Sequence, residues 1–201
     1  MKKYIWINPV IMSNYEIEYL KEILNDYTII YPENNHPKKV KEEYDKKCKS
    51  TNKCVIDSRC PKISEYIDKN EKEYEYANIN PILIETSLEL YNKKSKEDYL
   101  FIITPCTSLA DLGNSLNLEN TLYITWKDFI YKYNINLDIN KKKVLDDSPI
   151  PLGFFSELEH SVYSVSGEEN IENMFKNKKY RDYKLIEALY CDGGCHNGNG
   201  V

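Results

Sequence analysis

Short runs of apolar, β-branched and aromatic residues alternate with longer amphipathic stretches along the whole chain. Tyr4-Ile5-Trp6-Ile7 predicts a strand. Residues 14–26 follow as a helix, with Ile17, Leu20 and Leu24 on one face at helical spacing. Tyr27–Tyr31 reads as a second strand, 37–48 as a strongly charged exposed helix, and Cys54–Asp57 as a third strand. Proline is favoured in a first helical turn, so a helix begins near Pro61 and turns Ile63, Tyr66 and Ile67 inward. Residues 82–93 form a helix with Ile84, Leu88 and Tyr91 facing in, and Tyr99–Ile103 is the most apolar strand. A helix at 107–116, a strand at 122–124 and a short helix at 126–133 come next. A strand at 161–165, a helix at 168–177 carrying Ile171, Met174 and Phe175, and a strand at 185–190 lead into a Gly-rich tail.

Buried Ile/Leu/Val strands separated by helices predict an α/β fold of parallel sheets flanked by helices. No internal repeat is visible. Residues 1–201 read as a single domain, with one candidate lobe boundary in the irregular connector 136–153.

Composition narrows the function classes. At 41% hydrophobic and 29% charged over 201 residues, the chain has enough apolar surface for a core and is not a disordered polyelectrolyte. No run of 18 apolar residues occurs, so no membrane partner is expected. The first twenty residues lack an apolar secretory core, which predicts a cytoplasmic protein. The net charge is -5 and the only arginines are Arg59 and Arg181, which argues against a nucleic-acid partner. The Lys38-Lys39 and Lys141–Lys143 clusters have acidic neighbours and read as solvated faces.

The six cysteines carry the candidate chemistry. Without an export signal they point to a metal, to catalysis or to buried thiols. Cys60 follows the strand at 54–57, Cys106 the strand at 99–103 and Cys191 the strand at 185–190, with Cys195 four residues later. Ligands of open parallel sheets bind outside the carboxyl ends of the strands, so parallel strands would bring all four to one edge. Four such thiolates match a [4Fe–4S] cluster or a Cys₄ zinc site; four unrelated buried thiols are the plain alternative. Structural zinc usually draws on two close-spaced pairs, and one is present here. Around Cys191 and Cys195, Gly193, Gly194 and Gly198 would let bare backbone N–H groups approach a cluster. With Gly200, they leave the tail no stiffness of its own, which predicts order only when a cluster is bound. His196 would either hydrogen-bond the cluster or face solvent. Asp57 would be an acid/base or a turn cap, Cys54 core, and Cys48 an exposed thiol.

Cys191-Asp192-Gly193-Gly194-Cys195-His196-Asn197-Gly198-Asn199-Gly200 resembles the C-P-G-G-C-x-x-G-G-G stretch of the catalytic domain of iron-only ([FeFe]) hydrogenases and their relatives. The approach Asp182–Glu187 resembles that family's run into the stretch. Thr104-Pro105-Cys106-Thr107 resembles its M-P-C-T, and Ser58-Arg59-Cys60-Pro61 its T-S-C-C-P. Pro151-Leu152-Gly153 and Ser164–Gly167 are weaker echoes of PLG and G-x-T-G-G. The resemblance covers residues 54–201. It implies two lobes around an iron–sulfur site, with Cys60, Cys106, Cys191 and Cys195 as ligands of a [4Fe–4S] cluster and a redox protein as partner. It also implies a lost diiron site: Arg59 stands where the family has a proton-carrying Cys, and Leu109 where it has a Lys. No ferredoxin-type C-x₂-C-x₂-C relay is present. The expected function is electron transfer or redox sensing. An active or partial hydrogenase, and an iron–sulfur assembly or interaction protein, are the alternatives.

Overall fold

A computed structural model describes residues 1–145, 148–150 and 152–201. Its strands form two four-stranded sheets in which every pairing is parallel. The chain divides into two compact units. Unit 1 comprises Met1–Asn34, Leu83–Ile150 and Cys195–Val201; unit 2 comprises Asn35–Ile82 and Pro151–Gly194.

Unit 1 contains β1 (Lys3–Ile7), α1 (Pro9–Met12), α2 (Ile17–Ile23) and β2 (Thr28–Ile29) from its first segment. Unit 2 begins with α3 (His36–Ser50), β3 (Cys54–Ile56), a 3-10 turn at Pro61–Tyr66 and β4 (Tyr74–Tyr76). The chain then supplies α4 (Ile82–Lys93), β5 (Tyr99–Thr104), α5 (Thr107–Asn114), β6 (Thr121–Thr125) and α6 (Trp126–Lys132). It returns to unit 2 with β7 (Val162–Ser166), α7 (Glu168–Lys176) and β8 (Leu185–Leu189).

The unit 1 sheet runs β2-β1-β5-β6. Its two crossovers leave the central strands in opposite directions, which covers both faces. Ile11, Leu20, Leu24 and Phe129 pack with Ile5, Ile7, Phe101 and Ile103. Leu83, Ile84, Leu90 and Leu109 pack with Trp6, Leu100 and Ile102. The alternation of Ile5, Trp6 and Ile7 between these clusters is the two-residue period of a strand buried on both faces. Strand order reverses between β1 and β5, the switch point where parallel sheets bind ligands.

The unit 2 sheet runs β4-β3-β8-β7. Ile63, Ile171 and Met174 cover one face with Cys54, Ile56 and Ile186. Val40, Tyr44, Cys48 and Phe155 cover the other with Val55 and Leu185. The two central strands, β3 and β8, pair Val55 with Leu185 and Ile56 with Ile186.

Several local expectations need correction. The helix of 37–48 is not simply exposed: Val40, Tyr44 and Cys48, four residues apart, form a buried stripe, so Cys48 is a core thiol at 1% exposure. The stripe of α4 is rotated toward Leu83, Ile84, Ser87 and Leu90. Ser87 is accommodated there because its hydroxyl lies 2.6 Å from that of Tyr123. The helix at Pro61 is a 3-10 turn, and β4 and α1 are additional. Among the described residues, no helix is long and apolar enough to cross a membrane. The echo at Pro151 lies outside the described residues; Leu152 and Gly153 lie within them.

Candidate functional site

The four candidate cysteines divide two and two. Unit 2 carries Cys60 and Cys191, and unit 1 carries Cys106 and Cys195. All four are partly buried. Among the described residues, no three or more His, Cys, Asp or Glu side chains are gathered as a metal-holding group.

In unit 2, Cys60 opens the 3-10 turn after β3, and Cys191 follows β8. Because these strands are parallel neighbours, both cysteines leave the same edge of the sheet. The Cys191 thiol is pushed above its ordinary range, first by burial and then by the neighbouring Cys60 thiol. Gly193 (φ 70°) and Gly194 (φ 123°) turn the backbone after Cys191 through conformations that other residues rarely adopt. The turn is pinned by Gly194 N–H to the Cys191 carbonyl (3.1 Å) and by Gly193 N–H to Ser166 Oγ (3.1 Å) at the end of β7. That places the Ser164–Gly167 segment against the motif loop.

A buried ionic network lies directly behind Cys60. Arg59, 7% exposed, reaches Asp57 through Nε (3.0 Å) and Nη2 (2.8 Å), and Glu187 Oε1 through Nη2 (2.8 Å). Asp57 and Glu187 are both fully buried. Asp57 Oδ1 also accepts the Arg59 N–H (2.9 Å), closing a local turn, and the Tyr44 hydroxyl (2.7 Å). Glu187 accepts from Gly153 N–H (2.8 Å), Phe154 N–H (3.1 Å) and Ser164 Oγ (2.6 Å). Burial alone would pull the Arg59 guanidinium down, but the Asp57 and Glu187 carboxylates outweigh it and hold it above its usual value. Burial, with Asp57 nearby, keeps the Tyr44 phenol well above its ordinary range. The sequence reading singled out Arg59 for another reason and missed Glu187, whose signal is a lone charge inside the apolar run Leu185-Ile186-Glu187-Ala188-Leu189.

In unit 1, Cys106 immediately precedes α5 at the end of β5. Cys195 begins a 3-10 turn, Cys195–Asn197, that packs on α1. The following tail returns to the Cys106 loop. Gly200 N–H donates to the Pro105 carbonyl (3.0 Å), Lys127 N–H to the Gly200 carbonyl (3.2 Å), and Thr107 N–H to Asn199 Oδ1 (3.0 Å). A Cβ on Gly198 would fall 2.3 Å from the Pro105 oxygen. Residues 195–201 thus have protein partners of their own, unlike the expectation of a tail without intrinsic order. Gly198 approaches the backbone that leads into Cys106. His196 Nδ1 is buried and has no hydrogen-bond partner among the described residues. Such an orphan costs about 1–3 kcal/mol.

No family model and no curated protein matches the chain. Solved structures do. The apo form of a variant of the [FeFe]-hydrogenase HydA1 from Chlamydomonas reinhardtii aligns with a TM-score of 0.57 at 11% identity, covering 98% of this chain and 79% of that one. A second variant of the same hydrogenase aligns with a TM-score of 0.53 at 12% identity, over 98% and 79% of the two chains. The fold is hydrogenase-like.

Proposed function

We propose that the chain binds a [4Fe–4S] cluster through Cys60, Cys106, Cys191 and Cys195 and acts in electron transfer or redox sensing with a protein partner in a reducing compartment. The observation that carries this reading is the placement of two cysteines in each unit, three of them just past a strand of a parallel sheet and Cys195 at the start of a 3-10 turn, on a hydrogenase-like fold. The donor chemistry fits: soft thiolates are the ligands such clusters take. The unpartnered His196 Nδ1 beside Cys195 fits as well, as a donor toward cluster or thiolate sulfur. When bound, such a cluster stores and passes single electrons. The protein holds the thiolates and limits water; the Gly193 and Gly194 N–H groups, expected to face the cluster, are instead engaged by Ser166 Oγ and the Cys191 carbonyl and shape the loop. Hydrogen turnover is not part of the proposal. Arg59 is committed to two carboxylates, cannot cycle a proton near neutral pH, and Leu109 is packed in the core.

Anaerobic reconstitution tests the reading. About four iron and four sulfide per chain, with a reversible reduction, are expected. Cys106→Ser and Cys191→Ser should each abolish the full complement. A chain that takes up zinc but no iron and sulfide would overturn the proposal, and hydrogen evolution would restore the enzyme alternative.

A further inference from the structure

We infer that Arg59 is a positioning residue that joins the two cysteine-bearing strand ends of unit 2, Asp57–Cys60 and Glu187–Cys191, into one rigid two-thiol clamp. The inference rests on the reading above that Cys60 and Cys191 are ligands.

The geometry is that of a cross-link. β3 and β8 are parallel neighbours, and Asp57 N–H continues their ladder by donating to the Ile186 carbonyl (2.9 Å). Beyond this bond the β3 chain leaves the ladder for the Cys60 loop, while β8 runs on beside β7 to Leu189 before the Cys191 loop. Arg59 links the two: one Nη2 bonds Asp57 Oδ2 and Glu187 Oε1, each at 2.8 Å. Its guanidinium is held over the rings of Phe154 (4.2 Å) and Phe155 (4.4 Å), which fixes the fork in one orientation. Cys60 is the next residue, so its backbone starts from an immobilised point.

Stability alone does not account for this arrangement. A buried ion pair seldom outperforms well-packed apolar residues of the same volume; its best-attested use is to specify one arrangement among several. Two carboxylates, one just after β3 and one within β8, with Tyr44, Ser164 and backbone N–H groups donating to them, favour one register of those segments. A Met or Leu at position 59 would tolerate many.

Cadmium is the probe, in full-length protein carrying Cys106→Ser and Cys195→Ser, so that the unit 2 pair is read alone by its thiolate charge-transfer absorption. Cys48 and Cys54 do not compete at neutral pH, because burial pushes their thiols up to about 11 and about 12. The parent should bind cadmium through two thiolates. Arg59→Met should weaken binding by about tenfold or more, the usual size of a loss behind a metal ligand, at temperatures where circular dichroism shows it folded. Arg59→Lys restores charge without the fork and should recover stability more than affinity. Glu187→Gln keeps the shape, removes one charged acceptor, and should weaken binding severalfold. The inference is overturned if the parent shows no two-thiolate band, if folded Arg59→Met binds as tightly as the parent, or if Arg59→Lys restores full affinity. Should Arg59→Met fail to fold, Glu187→Gln decides, and unchanged affinity there overturns the clamp. Failure of iron–sulfur reconstitution in the unmodified chain, with these cadmium losses intact, removes the cluster reading and leaves the clamp standing.

Discussion

The two units present thiols from the same kind of edge but hold that edge in opposite ways. In unit 1, the loop before Cys106 is held by backbone contact. The Pro105 carbonyl accepts from Gly200, and Gly198 passes so close that a Cβ has no room. In unit 2, the loop before Cys60 is held by a side chain, with Arg59 bridging two buried carboxylates. One edge therefore depends on the absence of side chains and the other on the presence of one. Neutral backbone packing tolerates changes of pH and salt; a buried network keeps its geometry only while both signs of charge are present.

The largest effect should come from breaking the charged edge. Arg59→Met leaves Asp57 and Glu187 buried without their cation and should cost about 3–5 kcal/mol in urea unfolding. Adding Asp57→Asn and Glu187→Gln removes the orphaned charges and should return much of that loss. If the triple variant is no more stable than the single one, packing of the guanidinium, not charge balance, holds unit 2.

The matching break in unit 1 is smaller. Gly198→Ala forces a methyl against the Pro105 oxygen, an overpacking cost of about 1–3 kcal/mol. Hydrogen exchange should speed up at residues 195–201 and at Cys106, while β8 keeps its protection. Loss of protection spread evenly over β8 would mean that the tail supports more than its own edge.

How far each edge could be read from the sequence follows from the same contrast. The strands were legible because Tyr99–Ile103 and Leu185–Tyr190 are concentrated apolar runs. β4 was not: Tyr74-Glu75-Tyr76 lies in a charged stretch and, among the described residues, pairs with β3 alone. Cys48 was misread because lysines and glutamates hide the stripe it shares with Val40 and Tyr44. That each candidate cysteine follows a strand was visible. Their sorting into Cys60 with Cys191 and Cys106 with Cys195 was not, because it depends on β3 and β8 being neighbours and on the tail after Cys195 returning to the Pro105–Thr107 loop. The Arg59–Glu187 bond spans 128 positions and has no local signature beyond one charge in an apolar strand.

Alkaline pH offers a gentler comparison. Cys48 and Cys54, both in unit 2, titrate at about 11 and about 12 in the folded chain, because burial disfavours the thiolate. In the unfolded chain they titrate at about 8.5. Between these values the unfolded chain sheds protons that the folded chain keeps. Their contribution to stability is therefore whole below about pH 8.5 and falls, by at most about 1.4 kcal/mol per pH unit for each thiol, as pH rises through the folded values. The buried Tyr15 and Tyr123 of unit 1 start from a value near 10.0, so its loss begins later. Exchange protection should fail in β8 before β5 as pH rises above 9, and Cys48→Ala with Cys54→Val should flatten that difference. Simultaneous failure would show that the units lose structure as one.

The smallest effect tests whether unit 2 depends on buried charge or on charge in general. Its other arginine, Arg181, also makes a short ion pair, with Nε at 2.8 Å and Nη2 at 2.7 Å from Glu73 Oε2. The geometry is as good as that of Arg59, but the Arg181 side chain is 50% exposed and that of Glu73 43%. Water and counterions already satisfy both groups when they are apart, so the pair gains little from meeting. Arg181→Ala should leave the unfolding midpoint within experimental error of the parent, and raising the salt should change neither protein. Arg59 and Arg181 carry the same guanidinium and the same kind of partner; only burial separates them. A loss on Arg181→Ala comparable to that on Arg59→Met would mean that positive charge anywhere on unit 2 is what counts, and the contrast between the two edges would then lie in net charge and not in a cross-link.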